Sequence, residues 1–293
     1  MTHGSHVMTT IDAHTHAWGE NSETRPWVGD DLPPDWSGAY THEGLIDSMD
    51  AADVDEAVVV TPPLYGRGPA ANEYTFASIA AHPDRLWGVG TMDFFAADAV
   101  DRLRRLVGRD RILGVRMHAA LRYDPVPSAM DRTTGWILDD RLRPIWETAS
   151  ELGTTVFVFP KAQQLCMIET ILKGHPGITV VIDHMAWPDG TTAPDEPPWT
   201  RLRALAAHPN VYMKLSSLPR SSAEGWPYSD LHPYVRRLVE WFGSDRLMIG
   251  SDYPWMDRWA GYGECVSWLD ECDGLSTGDR AWIRHQTFRG LFG

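Results

Sequence analysis

Near the start of the chain, the run Ile11-Asp12-Ala13-His14-Thr15-His16 carries two histidines two residues apart. In an extended strand successive side chains alternate, so both imidazoles share one face. Two neutral imidazoles side by side can hold a divalent cation, or they can grip an oxyanion and pass on a proton. Two surface histidines would give the same pattern, so the pair needs partners. Arg116 and His118 are again two apart, and Asp183-His184 sits in Val-Ile-Asp-His-Met. Lys214 and Ser216 follow, then Asp252-Tyr253-Pro254 after Gly250-Ser251. Each has a plainer reading too. His184 and Asp252 suit loop and turn caps, and Lys214 suits a structural lysine that snorkels or pairs. Lys161, just after Pro160, fits solvent as well as substrate, and Trp18, Trp27, Trp187 and Trp255 fit either a pocket wall or a core.

These groups act together only if the fold brings them together. Eight β-rich runs are predicted: Ile11–His16, Ala57–Val60, Leu86–Met92, Ile112–His118, Thr155–Phe159, Thr179–His184, Val211–Leu215 and Leu247–Asp252. Between them lie stretches with apolar residues three or four apart, such as Leu165/Ile168/Ile171/Leu172 and Val235/Leu238/Val239/Phe242. Eight strand–helix units with no break in composition predict an α/β fold, a single (β/α)8 TIM barrel over residues 9–293. An open doubly wound sheet is the alternative. Links into strands are short, whereas links after strands (17–42, 119–138, 185–198, 216–229) are long and rich in Pro, Gly and Trp. Those are the loops that build the active face of such a barrel. All the candidate residues fall at strand ends on that face.

Composition narrows the function classes. A net charge of −14 argues against nucleic-acid and anionic-membrane partners, and a small-molecule substrate is expected. Three cysteines with no Cys-x-x-Cys suggest a reduced, cytoplasmic setting. Residues 1–8, with Gly4-Ser5-His6, read as a vector-derived leader, with Met8 the expected natural start. Aromatic loops leave room for a homodimer.

In order along the chain, Ile11-Asp-Ala-His-x-His-x-Trp18, Pro26-Trp27, Gly114-Val-Arg116, Val181-Ile-Asp-His184-Met185, Asn210-Val-Tyr-Met-Lys214-Leu-Ser216 and Arg246-Leu-Met-Ile-Gly-Ser-Asp252-Tyr-Pro254 resemble the amidohydrolase superfamily. The likeness is to the Amidohydro_2 branch, which includes sugar-acid lactonases and 2-pyrone-4,6-dicarboxylate lactonase. It spans nearly the whole chain. The resemblance implies water attack on a lactone carbonyl, with Asp252 as general base. His184 would bond the carbonyl or orient the water. His14 and His16 would polarise the carbonyl, directly or through a metal, and Arg116 would bind a substrate carboxylate. His118, Lys161, Trp18, Trp187 and Tyr253 complete the expected substrate contacts.

Two departures stand out. Phe159 occupies the place where metal-bearing relatives carry a fifth-strand histidine, and strands four and five have no lysine for a bridging carbamate. A binuclear centre is therefore not expected. Either no metal or one divalent ion, zinc by preference, on His14, His16 and Asp252 fits the resemblance. His118 stands where relatives carry smaller groups. The competing readings are a metal-dependent non-oxidative decarboxylase, a ring-modifying enzyme that does not hydrolyse, and a barrel without catalysis.

Overall fold

In the computed structural model, residues 9–28, 36, 38–119, 135–188 and 192–293 are described. The leader read at 1–8 and most of the loop read over 119–138 lie outside them. Strands β1 (Ile11–Thr15), β2 (Glu56–Val60), β3 (Leu86–Gly90), β4 (Ile112–Met117), β5 (Thr155–Val158), β6 (Thr179–Ile182), β7 (Val211–Leu215) and β8 (Leu247–Ile249) lie in sequence order, each parallel to the next. Helices α1 (His42–Ala51), α2 (Glu73–Ala81), α3 (Ala99–Val107), α4 (Arg143–Glu151), α5 (Leu165–Gly174), α6 (Arg201–Ala206), α7 (Leu218–Ser221) and α8 (His232–Phe242) alternate with them. After β8 come α9 (Tyr262–Glu271), α10 (Thr277–Ala281) and α11 (Thr287–Phe292). This is the (β/α)8 barrel that the sequence predicts.

Strand alternation builds two apolar layers. Ala57, Val59, Val156, Val158, Val180 and Ile182 face the helices. Val58, Val60, Phe157, Val181 and Met248 fill the barrel with Ile11, Ala13 and Phe288 from α11. Both faces of a parallel sheet are thereby dry, which is why these strands read as runs of Val and Ile. No helix among the described residues is long and apolar enough to cross a membrane. No disulfide joins Cys166, Cys265 and Cys272.

Two irregularities aim the site. Between Asp12 and Thr15, β1 uses three steps where β2 uses two, from Ala57 to Val59. Between Ile112 and Val115, β4 uses three where β3 uses two. An extra residue shifts the alternation by one and re-aims everything after it. Ile11 and Ala13 thus join the interior plug while His14 and His16, beyond the bulge, also look inward. In the same way Leu113 packs on the plug and Arg116 still faces the cavity.

The barrel closes just past β8. The Asp252 N–H donates to the His14 carbonyl at 2.7 Å, and the His16 N–H donates to the Tyr253 carbonyl at 2.9 Å. The same backbone bonds that close the seam set Asp252 beside both histidines.

Candidate active site

Six of the predicted strands end one to three residues early, and the difference falls on the site. β6 ends at Ile182 and β8 at Ile249, so Asp183, His184 and Asp252 lie on turns beyond them. His184, Ser217 and Asp252 have φ of 57°, 62° and 57°, and Met185, Ala186 and Trp187 share that left-handed region. Each such residue costs about 1–2 kcal/mol relative to ordinary backbone. Strain of this kind gathers where side chains must point into a site. Here it bends the ends of three neighbouring strands inward.

At the seam, Asp252 Oδ1 lies 3.3 Å from His16 Nε2 and 3.6 Å from His14 Nε2. Its Oδ2 accepts from the Ser217 hydroxyl. That hydroxyl and Ser216 Oγ each lie 2.9 Å from His184 Nδ1. His184 Nε2 faces Arg116 Nη2 at 3.4 Å, and Arg116 Nε donates to Asp183 Oδ2 at 3.2 Å. Because a guanidinium only donates, His184 Nε2 accepts and its ring proton sits on Nδ1. His16 Nδ1, 2.7 Å from the Val60 carbonyl, must likewise carry its ring proton. Lys214 Nζ stands 3.2 Å from both Asp183 Oδ1 and His14 Nδ1.

Burial sets the charges. It drives His14 and His118 well below the usual imidazole range, helped by Lys214 for the first and Arg116 for the second. Burial lowers His16 against the pull of Asp252, and brings His184 to about 4 against Asp252 and Asp183. Burial alone would raise Asp252 and Asp183. The imidazoles around Asp252, and Lys214 with His14 and Arg116 around Asp183, outweigh it and hold both carboxylates below their usual range. The site at neutral pH is two carboxylates among neutral imidazoles.

Asp12 supports this arrangement from below. Its Oδ1 accepts from the N–H groups of His14 (3.0 Å) and Ser251 (2.9 Å), and its Oδ2 from Ser251 Oγ (2.6 Å) and Tyr262 Oη (3.0 Å). It ties β1 to the turn that bears Asp252. Burial pushes its carboxyl up to about 6 despite these bonds.

A cavity of about 210 Å³ opens above these groups, lined by His16, Arg116, His118, His184, Asp252, Trp187 and Trp255 among the expected residues. Phe159, Pro63 and Arg220 complete it. Phe159 lies nearly parallel to Trp187, with ring centres 5.0 Å apart, and meets His118 and His184 edge-on at 4.6 Å. An aromatic wall thus stands where a fifth-strand ligand would be. Arg220, from α7, stacks over Trp187 at 4.0 Å. Its place in the Leu-Pro-Arg turn after strand seven was the available signal, together with the neighbouring Ser217.

Three expected contacts fall elsewhere. Trp18 is fully buried, with its ring 5.3 Å from Trp255 and its indole N–H on the Gly38 carbonyl. It backs the wall rather than lining the cavity. The Tyr253 hydroxyl donates to Asp257, outside the cavity lining. Lys161 is exposed, outside that lining, and its backbone N–H donates to Gln164 Oε1. Trp27 is half-buried against the core. Lys214 pairs rather than snorkels, with no exposure at all.

Two donor sets could hold a metal ion among the described residues: His14, His16 and Asp252, and His14, Asp183 and His184. The first fits a cation well at two of its three members. His16 Nε2 keeps a lone pair because Nδ1 serves Val60, and that lone pair faces the Asp252 carboxylate. His14 Nε2 is buried without a hydrogen-bond partner. It is a ligand only in the form whose Nδ1–H donates to Asp183, 3.3 Å away.

The sequence profile of the family Amidohydro_2, described as amidohydrolase, matches residues 11–293. An L-fucono-1,5-lactonase of Burkholderia ambifaria is 28% identical over 285 residues, covering 89% of this chain and 87% of that protein. A 4-sulfomuconolactone hydrolase of Rhizobium radiobacter is 36% identical over 253 residues, covering 83% and 75%. Among solved structures, a probable 2-pyrone-4,6-dicarboxylic acid hydrolase from Acinetobacter baumannii, with citric acid bound, superposes with a TM-score of 0.78. It is 19% identical and covers 98% of this chain and 100% of its own, a likeness of fold.

Proposed function

The chain belongs to the Amidohydro_2 amidohydrolases, and from that footing we propose that it opens a small anionic lactone by adding water to the ring carbonyl. The observation that carries this reading is the Asp252 carboxylate, held ionised in a buried seam beside three imidazoles and open to the cavity. Asp252 takes a proton as the water oxygen bonds to the carbonyl carbon. The ring C–O bond then breaks, and its oxygen leaves as an alcohol with that proton. Ser217 holds the carboxylate from the other side, and His184 is kept in place by Ser216, Ser217 and Arg116. A donor at His14 Nε2 would stabilise the oxyanion as it forms. His14, His16 and Asp252 would hold a divalent ion, with zinc matching two imidazoles and a carboxylate. Bound there, it supplies Lewis-acid polarisation of a carbonyl.

The cavity favours an anionic, flat substrate. Arg116 and Arg220 both reach it, and the parallel Phe159 and Trp187 rings form one wall. One lactone named for the relatives, a sulfonated muconolactone, is an anionic ring of this kind. Arg116→Met is expected to raise KM for a carboxylated lactone about 10–100-fold, the loss of a charged hydrogen bond worth about 1.5–3 kcal/mol. KM for an uncharged lactone should move little. Steady-state rates on the two substrates check this, and equal shifts on both would remove the carboxylate role.

The reading is tested by proton release in weak buffer across carboxylated, sulfonated and sugar lactones. Release on an acidic lactone, with the hydroxy acid as product, is the expected result. Silence across the panel, or carbon dioxide release without ring opening, overturns it. A chelator-treated aliquot run beside the enzyme assigns carbonyl polarisation to an ion if activity is lost and to His14 if it survives.

A further inference from the structure

Lys214 has no task in the reaction above, yet it is fully buried inside the barrel, its Nζ 4.4 Å from the ring centre of Phe157. A buried ammonium is retained only where its charge and its protons are used. Lys214 Nζ reaches two groups, Asp183 Oδ1 and His14 Nδ1, each at 3.2 Å. Asp183 Oδ1 has the Lys214 ammonium as an ion-pair partner but no hydrogen bond, its other oxygen accepting from Arg116 Nε. The contact with His14 is therefore the informative one.

An ammonium has protons to give and no lone pair to offer. A hydrogen bond from Lys214 to His14 Nδ1 needs the lone pair there, which places the ring proton of neutral His14 on Nε2. That Nε2 is buried, has no hydrogen-bond partner, and points toward Asp252 Oδ1 at 3.6 Å. In this form His14 is a donor aimed into the catalytic seam, and it cannot act as a metal ligand. In the other form, Nδ1–H would turn to Asp183 Oδ1 at 3.3 Å. Nε2 would then be free to coordinate, as in a carboxylate–histidine–metal arrangement. The two forms exclude each other, and the lysine selects between them.

We infer that Lys214 is a positioning residue that locks His14 in its Nε2–H form. This makes His14 Nε2–H a donor directed at the Asp252 seam and keeps the affinity of His14, His16 and Asp252 for divalent cations low. The fixed positive charge beside the donor set acts in the same direction. The inference rests on the proposed role of His14. It is read by ring-nitrogen signals and zinc affinity rather than turnover, so its failure leaves the lactone reading untouched.

Long-range proton–nitrogen correlation on zinc-free protein carrying ¹⁵N-histidine reports which ring nitrogen of His14 bears the proton. The His14 signals are identified by their loss in His14→Asn. The Nε2–H pattern in the wild-type protein is expected, and an Nδ1–H pattern overturns the inference without any lysine variant. Zinc competition against a chromophoric chelator gives the second measure. Lys214→Met should bind zinc about 10–100-fold more tightly than the wild type, and adding His14→Asn should remove the gain. A Lys214→Met protein with native far-ultraviolet circular dichroism and unchanged or weaker zinc affinity overturns it too.

Discussion

Asp252→Asn is expected to lower kcat about 10²–10⁴-fold, the range for loss of a positioned general base, with KM nearly unchanged. Of His16 and His184, only His16 keeps a lone pair at the seam, on Nε2, so a loss in the lower part of that range would mark its partial takeover. His184 Nε2 faces the Arg116 guanidinium and its Nδ1 is engaged by two serines. His16 spends Nδ1 on the Val60 carbonyl. The amide is isosteric and can still accept from Ser217, so native circular dichroism and thermal unfolding should be retained. Turnover within a few-fold of wild type in a folded variant would show that another group activates the water.

Gly114→Ala is expected to be the most damaging single change to the fold. A Cβ built on Gly114 would lie 2.0 Å from the Thr155 carbonyl oxygen of the paired strand β5. Backbone cannot swing aside as a flexible side chain can, so β4 and β5 would have to separate at the register Gly114↔Thr155. A clash with backbone belongs at the upper end of the usual overpacking range, about 3 kcal/mol, equivalent to a Tm lower by roughly 6–12 °C in a chain of this size. Loss of expression as folded protein would agree. A variant melting within about 2 °C of wild type would mean that the β4 irregularity absorbs the methyl group.

Gly114 bears on the candidate site because of where it stands. It lies in the stretch of β4 that takes an extra residue against β3, two residues before Arg116. Sequence spacing correctly put Arg116 and His118 on one face, as it did His14 and His16, because alternation holds over two residues in any strand. It could not show that each pair lies beyond a bulge. The bulge is decided by how a strand meets its neighbour, which is information held by the partner strand. Without those two irregularities, a strict alternation from Ile11 and Leu113 would turn His14 and Arg116 toward the helices.

The other differences have the same origin. Asp183, His184 and Asp252 read as strand ends in the sequence and are turn residues in the structure, His184 and Asp252 in left-handed conformation, which residue type permits but does not dictate. Trp18, Tyr253 and Lys161 were read as substrate contacts because they neighbour the motifs. Only packing shows that Trp18 lies behind Trp255, that the Tyr253 hydroxyl goes to Asp257, and that Lys161 faces solvent. Arg220 and Ser217 have only their place after strand seven to mark them, since an isolated Arg or Ser in a long loop adds no spacing pattern.

By itself, the sequence determined the barrel and the end of it at which the polar groups gather. Eight apolar runs alternating with amphipathic stretches leave little choice of fold, since both faces of each strand must be buried. Polar groups at the ends of such strands then converge by the geometry of closure. Only the tertiary structure decided how those groups are aimed and charged. Which ring nitrogen of His16 keeps its lone pair depends on the Val60 carbonyl, 44 residues away. The state of His14 depends on a lysine 200 residues away, buried with it. Proton positions and carboxylate charge are set by neighbours in space and by the exclusion of water, and neither is written in the order of residues along the chain.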